Sequence, residues 1–123
     1  MLGLSAYAEK GEKMKNKIIA VDFDGTLCVN RYPEIGFGNY DLVQYLIEQK
    51  KTGAKLILWT CRSGKLLADA VLWCRERGLT FDAVNENLPE IIEAFGSDTR
   101  KIFANEYIDD LASHRFELPF EKM

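Results

Sequence analysis

The chain has 123 residues, 47% hydrophobic and 28% charged, with a formal net charge of −3; this is the size of one domain with a real core and no large accessory domain. Such a composition excludes disorder and coiled coil, and the acidic balance excludes a broad basic surface for nucleic acid. No apolar run reaches the roughly 18–20 residues of a membrane span, no signal-peptide core precedes the domain, and three scattered cysteines (Cys28, Cys61, Cys74) read as reduced thiols of a cytoplasmic protein.

Residues 1–15 are polar, contain Gly3 and Gly11, and show no sustained period, so they read as a flexible leader to a single domain over 16–123. The run 17–21 (Lys-Ile-Ile-Ala-Val) is continuously apolar after its first residue, the pattern of a central strand covered on both faces. Gly, Pro and Asn are dense over 25–40, which predicts a loop. From Asp41 to Lys51, Leu42, Val43, Leu46 and Ile47 recur at helical spacing, and Gly53 supplies a stop. A second strand follows over 54–59. Ser63 is placed to cap a helix whose Leu66, Leu67, Ala70, Val71 and Cys74 share a face, with Gly78 ending it. Residues 81–84 form a weaker strand, Pro89–Phe95 a short helix, and Ile102–Ile108 a last strand running into Asp109-Asp110. Alternation of strand and helix predicts an α/β fold with a parallel central sheet, helices on both faces and right-handed crossovers.

Ligands of such sheets bind beyond the carboxyl ends of the strands. Here three strands end in polar residues: the first in Asp22, the second in Thr60 and the last in Asp109-Asp110. Asp22 and Asp24 are two apart, so an extended backbone turns both to one side and Phe23 to the other. Carboxylates held close share a proton or bind a hard cation. An all-oxygen set favours magnesium over zinc, and a single histidine, His114, rules out a histidine-rich site. With phosphate charge neutralised, Asp22 can attack phosphorus, while Asp24 protonates the leaving oxygen and then activates water. Thr60 and a lysine can hold equatorial oxygens; Lys101 is the best placed lysine, with Arg100 and Lys65 as competitors. Arg62, two residues past Thr60, either reaches the substrate phosphate or is a surface arginine at a helix start. The Arg31-Tyr32-Pro33 segment is either a flap over substrate or a turn shaped by Pro33. Trp59 and Trp73 read as core, and Cys61 as a small filler.

The segment Asp22-Phe23-Asp24-Gly25-Thr26-Leu27, the strand end Trp59-Thr60, Lys101, and Ile108-Asp109-Asp110 resemble, in order, the four motifs of the haloacid dehalogenase superfamily, phosphatase branch. The resemblance spans roughly residues 17–110. It implies a three-layer Rossmann-like fold and a magnesium ion held by the Asp22 side chain, the Asp24 backbone carbonyl and an acid of the last motif. On position, Asp110 is expected as the direct ligand with Asp109 behind it. Only 37 residues separate Asp22 from Thr60, too few for the cap domain many relatives insert there, so a capless, open site is expected.

The expected function is phosphomonoester hydrolysis through an aspartyl-phosphate at Asp22. The substrate class stays open among phosphorylated small molecules, nucleic-acid termini and phosphoproteins, with no membrane partner, and the oligomeric state is not legible. The same residues would serve a phosphotransferase. A response-regulator-like phosphoacceptor domain is the alternative from another class; it would place its phosphorylated Asp at the third strand's end, where Val84-Asn85 offers no acid.

Overall fold

The computed structural model describes residues 17–98 and 102–109. Lys101, Arg100, Asp110, His114 and the leader expected over 1–15 lie outside the described residues. Strand β1 (Ile18–Val21) is buried at every position because it is central, between β4 (Lys55–Leu58) and β6 (Glu106–Ile108), with β5 (Ala83–Val84) beyond β4. All pairings in this sheet are parallel, and Val21 is in register with both Leu58 and Ile108.

The period-two alternation of the strands divides the core into two layers. Ile19, Val21, Leu56, Leu58 and Ile108 pack with Leu42, Val43 and Leu46 of helix α1 (Tyr40–Lys51) and with Ala70 and Cys74 of α2 (Gly64–Glu76). Ile18, Ala20, Ile57 and Ala83 face the other way, onto Leu88, Ile102 and Ile91 of α3 (Pro89–Phe95). Helices therefore cover both faces, and the fold is the expected three-layer α/β arrangement. Gly53 and Gly78 both take positive φ past the helix ends, as a left-handed stop requires. Desolvation in this core pushes the Cys74 thiol up to about 12. No helix among the described residues is long and apolar enough to cross a membrane.

The structure departs from the sequence reading at several points. Residues expected as a loop form an antiparallel hairpin, β2 (Cys28–Arg31) and β3 (Glu34–Gly38). Its glycines are there for close approach: a Cβ on Gly36 would lie 2.3 Å from the Val29 carbonyl oxygen, and one on Gly38 2.8 Å from the Trp73 ring. The last strand is confined to Glu106–Ile108, because Asn105 uses its side chain to accept from the Ile18 amide at 2.7 Å. Likewise Asp82 accepts from the Leu56 amide through its carboxylate at 2.8 Å, and β5 starts one residue later. Ser63 stands at the start of α2 without a capping bond from its side chain, whereas Asn39 caps α1 by accepting from the Leu42 amide at 3.3 Å. Trp59 is 40% exposed and not core. Cys61 is exposed and fills no gap.

Because the obstacle at Gly36 is backbone, relaxation must move the hairpin itself. Gly36→Ala is expected to cost about 1–3 kcal/mol, read as a lower urea midpoint with an unchanged m-value.

Candidate active site

Register alone places the polar strand ends together. Beyond the aligned Val21, Leu58 and Ile108, the chain continues as Asp22, Trp59-Thr60 and Asp109 at one edge of the sheet. The Asp22 amide donates to the Ile108 carbonyl at 2.9 Å and the Trp59 amide to that of Val21 at 2.8 Å, so these residues prolong the sheet.

Directly after β1 the chain turns around one acceptor. The Phe23 carbonyl accepts from the amides of Thr26, Leu27 and Cys28 at 3.1, 2.9 and 3.4 Å, and Gly25 takes φ +86° to close the turn. Phe23 itself is fully buried, edge-on to Trp73 at 5.6 Å. Anchoring Phe23 inward turns its neighbours outward, and Asp22 and Asp24 open onto one cavity of about 430 Å³ together with Asn30, Tyr32, Thr60, Cys61 and Arg62. Thr26, buried and without a role in the sequence reading, donates its hydroxyl to Asp22 Oδ2 at 3.4 Å.

Arg62 is not the surface arginine that one of its two readings expected. It is 2% exposed, although it follows the strand end by only a few residues. Its Nε and a terminal nitrogen each donate to Asp24 at 2.8 Å, a bidentate fork. Further N–H groups donate to the Glu34 carbonyl at 3.0 Å and the Leu66 carbonyl at 3.3 Å. Four of its five donors are thus committed to protein, two of them to Asp24. Its guanidinium carbon lies 5.1 Å from the centroids of both the Phe23 and Tyr32 rings. The hydrogen-bonded Asp24 carboxylate holds the guanidinium above its ordinary range against the opposing effect of burial.

Thr60 is held from two sides. Its amide donates to the Asn85 side chain at 2.8 Å, and its hydroxyl accepts from the Arg62 amide at 3.1 Å. Asn85 reaches it from a left-handed backbone, φ +56°, a conformation asparagine tolerates better than most residues. The sequence signal for this was available: Asn directly after a short strand, opposite the end of the neighbouring one. Two residues on, buried Asn87 donates its side-chain amide to Asp98 at 2.9 Å and accepts from the Phe103 amide at 2.7 Å. It ties α3 and its following turn to the approach of β6.

Among the described residues no group of three or more His, Cys, Asp or Glu side chains gathers. The oxygens that could hold a hard cation at this edge come from two strand ends and one turn. Asp22 and the half-buried Asp109 end adjacent strands. The turn amides of Thr26, Leu27 and Cys28 go to the Phe23 carbonyl and that of Gly25 to the Cys28 carbonyl, none of them to the Asp24 carbonyl. The Asp24 carboxylate is occupied by Arg62, which leaves that carbonyl as the oxygen Asp24 can offer a metal.

No family model matches the sequence, and no curated protein matches it. Among solved structures, the chain is similar to that of a conserved protein coded by a locus of Bacteroides thetaiotaomicron. The identity is 44%, the TM-score 0.68, and the match covers 77% of this chain and 76% of that one.

Truncating Arg62 would leave Asp24, 16% exposed, without its counter-charge. Arg62→Ala is expected to cost about 3 kcal/mol, the lower end for a broken buried pair. Arg62→Lys should recover only part, since an ammonium cannot form the fork. Denaturant unfolding of the three proteins measures both.

Proposed function

The chain belongs to the family of that conserved Bacteroides thetaiotaomicron protein, and from its own site we propose that it is a magnesium-dependent phosphomonoesterase working through Asp22. One observation carries the reading: two carboxylates, Asp22 and Asp24, open onto one cavity with Thr60 at the carboxyl edge of a parallel sheet. The likeness of its motifs to the haloacid dehalogenase superfamily points the same way.

Asp22 supplies the nucleophile. Its carboxylate oxygen bonds to phosphorus as the bond from phosphorus to the leaving oxygen breaks, and Asp24 delivers a proton to that oxygen. Water then attacks the aspartyl-phosphate, gives its proton to Asp24, and Asp22 is released with inorganic phosphate. Asp22, the Asp24 carbonyl and an acid after β6 would hold a magnesium ion, which would supply the charge neutralisation that lets one anion approach another. Thr60 is fixed at its amide and donates its hydroxyl hydrogen to an equatorial phosphate oxygen.

Arg62 has a share in this cycle. It aims Asp24 and favours its carboxylate form, the one needed to accept a proton from water; to act first as the acid, Asp24 must carry a proton against that bias. Lys101 is proposed as the second phosphate donor. Three cysteines without a disulfide suit a reducing, cytoplasmic setting. A response-regulator role is disfavoured, because β5 ends at Val84 and the next residue, Asn85, is no acid and is engaged with Thr60.

The test is phosphate release from a panel of phosphorylated metabolites and nucleotides with magnesium. Asp22→Asn is expected to lower turnover at least ~10³-fold, and chelation to abolish it until magnesium is restored. Equal release by wild type and Asp22→Asn, or indifference to chelation, rejects the mechanism. Asp24→Asn should lose about 10²–10⁴-fold on alkyl phosphates and distinctly less on 4-nitrophenyl phosphate, whose leaving group needs no proton. Stopped assays on the two substrates make the comparison.

A further inference from the structure

The cavity at the sheet edge has one wall that the chemistry leaves unused. Tyr32, at the tip of the β2–β3 hairpin, lines the cavity beside Asp22 and Asp24 yet is 53% exposed. It is not loosely placed. The Arg62 guanidinium lies over its ring at 5.1 Å, and its amide donates to the Asn30 side chain at 3.2 Å. Arg62 in turn lies over Phe23 at 5.1 Å. The guanidinium therefore lies over both rings, and of the two only Tyr32 is open to solvent and to the cavity. A rigid aromatic face costs little ordering entropy when a second ring settles on it. The cavity volume of about 430 Å³ lies within the range of about 300–1,000 Å³ for small-molecule sites.

We propose that the outer face of Tyr32 is a stacking platform for a planar ring carried by the phosphomonoester, so that the site takes nucleoside monophosphates in preference to sugar or alkyl phosphates. This rests on the phosphatase reading and names its substrate class. The ring settles on the open face of Tyr32 while the phosphate faces Asp22. Base–aromatic stacking tolerates any base, since every base has a π-face. A single nucleotide suits the cavity better than a strand end. Arg62 is the one cation among the described lining residues, and it is committed to Asp24, so the described residues offer no basic track for a phosphate backbone.

The experiment compares AMP with ribose 5-phosphate, which share the same leaving oxygen and differ by the base. Wild type is expected to favour AMP by about tenfold in kcat/KM, within the range for stacking one base. Tyr32→Ala should bring the ratio close to one, and Tyr32→Phe should keep it. A purely structural role for Tyr32 would lower both substrates together and leave the ratio unchanged. A wild-type ratio near one, or a ratio that survives Tyr32→Ala, overturns the platform. A 5′-phosphorylated oligonucleotide turned over better than AMP overturns the assignment to mononucleotides. If no phosphomonoester is turned over, the phosphatase reading falls, and calorimetry on Asp22→Asn with magnesium decides the platform separately. AMP binding about tenfold tighter than ribose 5-phosphate, lost with Tyr32→Ala added, upholds it; equal binding rejects it.

Discussion

A charged guanidinium buried to 2% exposure needs every donor it can place, and the way Arg62 places them organises the candidate site. Its fork holds Asp24, its other donors reach the Glu34 carbonyl in the hairpin and the Leu66 carbonyl in α2, and two aromatic rings flank it. The turn after β1, the hairpin and the second helix are therefore connected through one side chain. Hydrophobic packing sets where the strands lie; the Arg62 network sets where the polar groups at their ends point.

Much of this was legible in the sequence because it follows from periodicity. Continuous apolar strands, helical spacing in α1 and α2, and glycines at their ends encode a parallel sheet covered on both faces. The convergence of Asp22, Asp24 and Thr60 at one edge follows from strand ends in a parallel sheet. Arg62 was not legible in the same way. Nothing local distinguishes an arginine that turns inward from one that turns to solvent; the decision belongs to Asp24, 38 positions earlier, and to carbonyls 28 positions before and 4 after. Asn85 carried a signal, an asparagine directly after a short strand, whereas Thr26 bonds only four positions back, to Asp22, from within the turn.

The hairpin is the instructive difference. Gly36, Gly38 and Pro33 are signals of irregular chain when read one by one. In three dimensions the glycines remove the Cβ atoms that would collide with Val29 and Trp73, so strands can lie close to each other and to α2. Composition that argues against a strand in isolation is what permits this one in place. Similarly, Asn105 and Asp82 shorten their strands by offering side-chain oxygens to amides that a neighbouring backbone would otherwise satisfy.

With only 37 residues between Asp22 and Thr60, the segment that relatives of the proposed superfamily use for a cap holds a hairpin, a helix and a strand here. The hairpin is then the element left to wall the site, and its tip residue Tyr32 rests on the same guanidinium that aims Asp24. On the proposed reading, recognition of the substrate and proton transfer to it are not separable modules. A change that reshapes the Tyr32 wall displaces a contact of Arg62, and a change at Arg62 frees both the acid and the wall. Asn30, whose side chain holds the Tyr32 amide, belongs to the same coupled set.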